Sequence, residues 1–375
     1  MSNDSLVEVA GAGPAGLTAA ITAARAGARV VVYERAAHVG SRFHGDFQGL
    51  ENWTTNGDVL DEIATLGVAP SFPAAPFHEQ VCIGPDGGEY MVRAQTPAPF
   101  YYLVRRGPGE GTLDRALRAQ AEAAGVEIRF GQEVAALPRG GILSHGPRRG
   151  DAVAVGYVFD TDMADGSWAA LGLDVAPGGY AYLLVQGGFG TLSVCLFSRF
   201  RELKAFLERA RQLFVRHAGL RMKNPRPFGG AGTLAIPRTA ARDGVLLAGE
   251  AAGFQDPLWG FGIRHAMRSG HLAARALVGG VPETYEEAWR QRIATAMRAA
   301  AVMRWFYSRL GNRGYRRLCQ WLSEVEDPRA ALRWLYAPAW WKQALYPVLG
   351  RPLLGRPLLS GGAPELVAPS RASSP

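Results

Sequence analysis

Val7-Glu8-Val9-Ala10-Gly11-Ala12-Gly13-Pro14-Ala15-Gly16, continuing through Leu17-Thr18-Ala19-Ala20, is the stretch on which the rest of the chain is hung. An apolar strand, Leu6 to Ala10, meets a glycine turn and feeds directly into an alanine-rich helix. Gly11 permits the sharp turn, Gly13 lets backbone approach a pyrophosphate, and Gly16 lets the helix pack tightly on the strand. Pro14 and Ala15 open the helix, whose N-terminus offers free N–H groups and partial positive charge to phosphates. Gly27 closes the helix, and a second strand, Ala28 to Tyr33, ends on Glu34. An acidic residue at this distance is placed to hold ribose hydroxyls. Strand, turn, helix, strand and carboxylate together predict a bound adenine dinucleotide rather than a bare glycine turn.

At 375 residues and 48% hydrophobic content the chain is long enough for two or three domains. Cys82, Cys195 and Cys319 lie far apart and form no CxxC pair, which argues against a metal site or a disulfide framework. The first residues show no basic, apolar leader, and no run of 18 apolar residues occurs, so the expected location is cytoplasmic. The formal charge of +8 is concentrated near the end. Between Ala301 and Arg356 ten Lys/Arg face three acidic residues, and five of the nine tryptophans fall there: Trp305, Trp321, Trp334, Trp340 and Trp341. No nucleic-acid motif accompanies this patch. Amphipathic aromatics beside cations instead predict peripheral contact with the inner face of a membrane.

After Glu34 the chain reads Glu34-Arg35-Ala36-Ala37-His38-Val39-Gly40-Ser41-Arg42. This resembles the "ER…GGR" pattern of flavoproteins of the glutathione-reductase structural class, with Ser41 for the second glycine. The resemblance implies that Arg35 and Arg42 lie by the cofactor. His44 to Trp53 is a polar and aromatic loop expected near the flavin ring, and its His44 and Asp46 are candidate acid/base groups, as is Tyr102. Val59 to Leu66 reads as a short helix. Glu79–Ile83 and Glu89–Ala94 read as a hairpin around Pro85-Asp86-Gly87-Gly88. Tyr101 to Val104 is a strand leading to Arg105-Arg106-Gly107, and Thr112 caps the next helix. The same class resemblance places Arg106 near the cofactor. Ala152–Phe159, Tyr180–Gln186, Gly190–Phe197 and Gly232–Ile236 read as strands, and Leu203–Phe214 as an amphipathic helix.

The second decisive stretch is Gly249-Glu250-Ala251-Ala252-Gly253-Phe254-Gln255-Asp256-Pro257-Leu258-Trp259-Gly260-Phe261-Gly262-Ile263, before a helix from Arg264. Glycine plus carboxylate, small residues and a Pro/Gly loop suit a carboxylate facing ribityl hydroxyls and a helix N-terminus facing the flavin edge that gains negative charge. The stretch resembles the second FAD motif of the geranylgeranyl reductase family, GDAAGF…P…GEGI…A…SG. It departs from that motif at Glu250, where Asp is usual, and at Phe261, where Glu is usual. The family's YxWxFP signature survives only as Tyr180-Ala181-Tyr182-Leu183-Leu184-Val185.

The expected architecture is α/β. A discontinuous Rossmann-type FAD domain (1–70, 99–150, 237–280), similar to that of p-hydroxybenzoate-hydroxylase-like proteins, carries an inserted antiparallel-sheet substrate domain (71–98, 151–236). A C-terminal helical region (281–358) and a disordered tail (359–375) follow. The cofactor residues implied are Gly11, Gly13, Pro14, Ala15, Gly16, Glu34, Arg35, Arg42, Arg106, Gly249, Glu250, Pro257, Gly260, Phe261, Gly262 and Ile263. Tyr180, Tyr182 and Trp259 are expected against the substrate. The resemblance implies an FAD-dependent oxidoreductase that delivers hydride from flavin N5 to C=C bonds of an apolar isoprenoid-like or polyene substrate. NADPH and a ferredoxin both stand as electron donor. The alternatives are a flavin-dependent monooxygenase or halogenase-like enzyme, or a non-catalytic FAD-binding protein at a membrane. The halogenase signature GWxWxIP is missing from the sequence.

Overall fold

The computed structural model describes residues 6–354 apart from positions 56, 148 and 149; the expected tail over 359–375 lies outside the described residues. A six-stranded sheet forms its base, in the order Ala241–Arg242, Val245–Leu247, Gly141–Leu143, Leu6–Ala10, Arg29–Glu34, Glu127–Phe130. All neighbouring strands run parallel except the terminal Ala241–Arg242 pair. Buried parallel strands read as continuous apolar runs, and Val30, Val31 and Val32 are all buried here. The first helix, Pro14–Arg25, starts on a proline, which lacks the N–H that a first-turn position leaves unbonded anyway. It packs against the helix Ile263–Val278 so closely that a Cβ at Gly270 would sit 2.0 Å from the carbonyl oxygen of Ala15.

Above this base lies a seven-stranded, mostly antiparallel sheet, ordered Lys223–Gly232, Ala152–Asp160, Phe189–Leu196, Tyr180–Gln186, Gly166–Ala170, Glu79–Ile83, Glu89–Arg93. Strand alternation sorts its residues by face. Along Tyr180–Gln186, Ala181, Leu183 and Val185 join the core under the helix Leu203–Ala218, with Phe206 and Phe214. Tyr180, Tyr182 and Leu184 face the other way, into the cavity described below. Phe47–Glu51, Tyr101–Arg105 and Ala74–Phe77 form a small antiparallel sheet, interleaved in sequence with strands of the two large ones. Helices Thr284–Trp289, Thr295–Tyr307, Gly311–Glu324, Pro328–Tyr336 and Trp340–Leu345 follow, the first two joined by a π-helical turn, and the short helical turns Tyr346–Gly350 and Arg351–Leu353 close the described chain.

The structure departs from the sequence reading in particular places. The loop expected over His44–Trp53 contains the strand Phe47–Glu51, whose partners lie some 50 residues on. The strand expected at Gly232–Ile236 ends where it was to begin, and Lys223–Gly232 is the strand. Pro225 and Pro227 mask it in sequence, but it is an edge strand, where missing N–H donors can face away from the sheet. Gly166–Ala170 and Ala74–Phe77 are short strands fixed by tertiary pairing.

Candidate active site

The three glycines of the first motif do three different things. Gly11 has φ +105°, and a Cβ there would lie 2.7 Å from Ser144 O. At Gly16 it would lie 1.9 Å from Gly11 O, so Gly16 serves helix–strand packing and does not line the cavity. At Gly13 it would meet nothing within 4 Å: the backbone here faces open space. The N–H groups of Gly13 and Ala15 have no protein acceptor among the described residues, so this loop tip fits an anionic group. Glu34 braces the loop, its two carboxylate oxygens receiving Ala12 N–H (2.8 Å) and Ala36 N–H (2.9 Å).

From this loop a cavity of about 900 Å³ runs between the sheets. That is near the upper end of small-ligand sites, roughly 300–1,000 Å³. One end is polar, with Gly13, Glu34, Arg35, Arg42 and Glu250; the other is walled by Phe100, Leu171, Leu184, Leu318, Leu322 and Leu332. Arg42 Nη1 pairs with Glu250 Oε2 at 2.6 Å, and its Nη2 donates to Ala231 O, so the two sequence motifs meet directly. The other oxygen of Glu250 accepts Thr233 N–H at 3.2 Å.

Arg106 lines the cavity but is heavily committed. It donates to both oxygens of buried Asp114 (2.9 and 2.8 Å) and to Gln48 Oε1 (3.2 Å), and its guanidinium lies 4.0 Å from the Phe43 ring centroid. Asp114 opens the helix Leu113–Ala123, where Thr112 accepts Arg115 N–H as the expected cap.

Gly260, Phe261, Gly262 and Ile263 all line the cavity, at the N-terminus of the 16-residue helix Ile263–Val278. The N–H groups of Phe261, Gly262 and Ile263 have no protein acceptor among the described residues, which is the donor set that an electron-accepting ring edge requires. Phe261 stands edge-on to Trp53, centroids 4.9 Å apart, and would collide with a Cβ at Gly49. Gly249 and Pro257 do not line the cavity: a Cβ at Gly249 would fall 2.8 Å from that of Ala15, so this glycine serves packing.

His44 and Asp46 both line the cavity. Asp46 is buried and accepts His44 N–H (3.0 Å) and Gln48 Nε2–H (3.0 Å). Tyr102 is a correction. Alternation along Tyr101–Arg105 turns it away from the cavity, where its hydroxyl donates to Asp58 Oδ2 at 2.7 Å and burial raises its pKa. Its neighbour Tyr101 lines the cavity instead, bonded to Ser167. Tyr180, Tyr182 and Trp259 line the cavity; the two tyrosine rings are 6.1 Å apart, and burial holds both phenols protonated. Tyr180 OH donates to Trp259 O at 2.6 Å. Sequence reading missed Tyr101, Asp114 and the leucines of the C-terminal helices. The period-two count along the strand was a signal for the first; the leucines carry none.

Residues 9–51 match the family model of an NAD(P)-binding Rossmann-like domain. The chain is 25% identical to the digeranylgeranylglycerophospholipid reductase of Haloferax volcanii, covering 87% of this chain and 91% of that one. With the enzyme of the same name from Methanosphaerula palustris it shares 27% identity over 77% of this chain and 82% of that one. A solved geranylgeranyl bacteriochlorophyll reductase-like protein from Thermoplasma acidophilum shares the fold, with TM-score 0.70, 20% identity, and 93% and 97% of the two chains covered. A flavin-dependent brominase does so at TM-score 0.65 and 17% identity, over 92% and 97%. The chain is thus similar along most of its length to the digeranylgeranylglycerophospholipid reductases, which bears out the geranylgeranyl reductase resemblance carried by its two glycine motifs.

Proposed function

We propose that the protein is an FAD-dependent oxidoreductase that reduces C=C bonds of an apolar, isoprenoid-like chain. One observation carries this reading: a single cavity joins the braced glycine loop to a wall of leucines and aromatics. FAD, when bound, supplies hydride from its reduced N5. Gly13 and Ala15 N–H groups would hold its pyrophosphate, Glu34 its ribose, and the free N–H groups of Phe261, Gly262 and Ile263 the ring edge that gains charge. Tyr180, Tyr182 and Trp259 would lie along the apolar substrate. His44, held at its backbone by Asp46, would supply the proton that completes the reduction, a role for which Tyr102 faces the wrong way. Anaerobic FAD-loaded protein, reduced with dithionite and offered a geranylgeranyl lipid, should raise the lipid mass by two hydrogens per reduced bond. Oxygen consumption with an oxygenated or halogenated product would support the monooxygenase or halogenase reading instead.

We further propose that the C-terminal helices touch a membrane. Trp340 is 82% and Trp334 52% exposed, with Leu345 and Val348 also exposed nearby in sequence. The charge contributes less than the sequence suggests. Arg304 is buried, Arg329 and Arg333 donate to backbone carbonyls of the Asn52–Gly57 loop, and Lys342 caps the carbonyls of Trp334 and Leu335. No helix among the described residues is long and apolar enough to cross a membrane.

A further inference from the structure

The loop that presents the free N–H groups is shaped from outside the cavity. Within it, Asp256 N–H donates to Phe261 O (2.8 Å) and Gly260 N–H to Asp256 O (2.9 Å). The Asp256 carboxylate receives Leu258 N–H and Trp259 N–H, both at 2.9 Å. Two contacts then come from the C-terminal helices. Tyr336 OH donates to Asp256 Oδ2 at 2.8 Å, and Arg304 Nη1 donates to Leu258 O at 3.0 Å. Asp256, Tyr336 and Arg304 are all buried, and neither Tyr336 nor Arg304 lines the cavity.

Behind the loop lies a void of about 10 Å³, bounded by Glu51, Asp256, His265 and Tyr336 among others. It is about the size that one water needs. Buried His265 Nδ1 has no partner there among the described residues. The back of the loop therefore combines packed rings, Trp259 lying 6.3 Å from both Tyr307 and Tyr336, with polar groups whose directional bonds help set its shape. A hydrogen bond to a carboxylate is among the stronger kinds, and removing its donor leaves a buried acceptor short.

We propose that Tyr336 and Arg304 are positioning residues: through Asp256 and Leu258 they fix the turn that aims the Phe261, Gly262 and Ile263 N–H groups into the cavity. This rests on the flavin reading above. It gives the C-terminal helices a part in tuning the bound flavin, since donors displaced by even a fraction of an ångström stabilise a developing charge less well.

The test compares Tyr336→Phe with Tyr346→Phe, which removes a hydroxyl from the same helical region without touching the loop. FAD-loaded full-length protein is used, with visible absorption and reduction midpoint read for each. Tyr336→Phe should retain FAD but bind the reduced form about tenfold less favourably relative to the oxidised form, a midpoint drop of about 30 mV for a two-electron couple. Tyr346→Phe should match wild type. Equal spectra and midpoints in all three proteins, with only thermal stability changed, would overturn the positioning role alone. Wild-type protein that fails to take up FAD would overturn the flavin reading and the positioning role with it.

Discussion

Arg106→Met separates a structural strut from a cofactor contact. The pair is closed to solvent, with side-chain exposures of 6% for Arg106 and 1% for Asp114. Removing one partner of a buried pair typically costs about 3–5 kcal/mol, because the other charge stays buried and unmatched. Asp114 would retain one donor, Gly107 N–H at 2.9 Å, which pulls the loss toward the lower end. The lost Gln48 bond and the contact with the Phe43 face add about 1 kcal/mol between them. A loss of about 3–4 kcal/mol is therefore expected in the apoprotein, with the denaturant midpoint as the readout. The double variant Arg106→Met, Asp114→Leu should recover most of it, because replacing both members by apolar groups is often neutral. FAD affinity, measured by titrating refolded apoprotein, should fall less than tenfold in the double variant. If Arg106→Met instead leaves the apoprotein within about 1 kcal/mol of wild type and weakens FAD by more than a hundredfold, the strut account is wrong and Arg106 is a direct cofactor ligand.

The glycines make a paired test: Gly13→Ala should fold with near-native stability yet weaken FAD, whereas Gly16→Ala, with its 1.9 Å approach, should fail to give soluble protein. Comparable expression and FAD affinity in the two would refute the division of labour between them. Glu34→Ala removes an anchor of the loop and the proposed ribose acceptor together; FAD affinity should fall about 10- to 150-fold, from about 1.5–3 kcal/mol for bonds to a charged group, with equilibrium dialysis as the check. Burial pushes the Asp256 carboxyl up to about 6, above its unfolded value. The folded state then holds that proton more tightly, so this group's stabilisation is full below about pH 4 and is lost as pH rises through about 6. Asp256→Asn should flatten the stability–pH curve in that window; an unchanged slope would assign it to other groups. Trp340→Ala should cut co-sedimentation with anionic liposomes several-fold, and equal pelleting of wild type and variant would remove Trp340 from any membrane contact.

What could be read in advance was what local chemistry dictates. The Gly11–Gly16 turn and the Gly249–Ile263 loop have steric requirements so narrow that the residues declare their geometry. Thr112 announced its helix for the same reason: a cap is a local bond. The unread parts depend on distant partners. Phe47–Glu51 is a strand because Tyr101–Arg105 lies beside it, and nothing in its own polar sequence requires that. Lys342 looked like a surface cation and is a buried cap, since a side chain's environment depends on which carbonyls the fold brings near it. Tyr102, an acid/base candidate in the sequence, points away from the cavity while its neighbour Tyr101 lines it, because adjacent side chains on a strand point oppositely.

The order of strands in the base sheet also sets a timetable. Gly141–Leu143 must wait for Val245–Leu247 to cover its open side, and Arg42 must wait for Glu250. At about 5–20 residues per second of synthesis, the hundred-residue gap between those strands means roughly 5–20 s with that flank of the sheet uncovered. The antiparallel strands of 152–232 emerge within that interval and pair largely among themselves. A growing chain of this protein thus owns a finished upper layer before its nucleotide-facing layer can close, and that layer is the one a chaperone would find open.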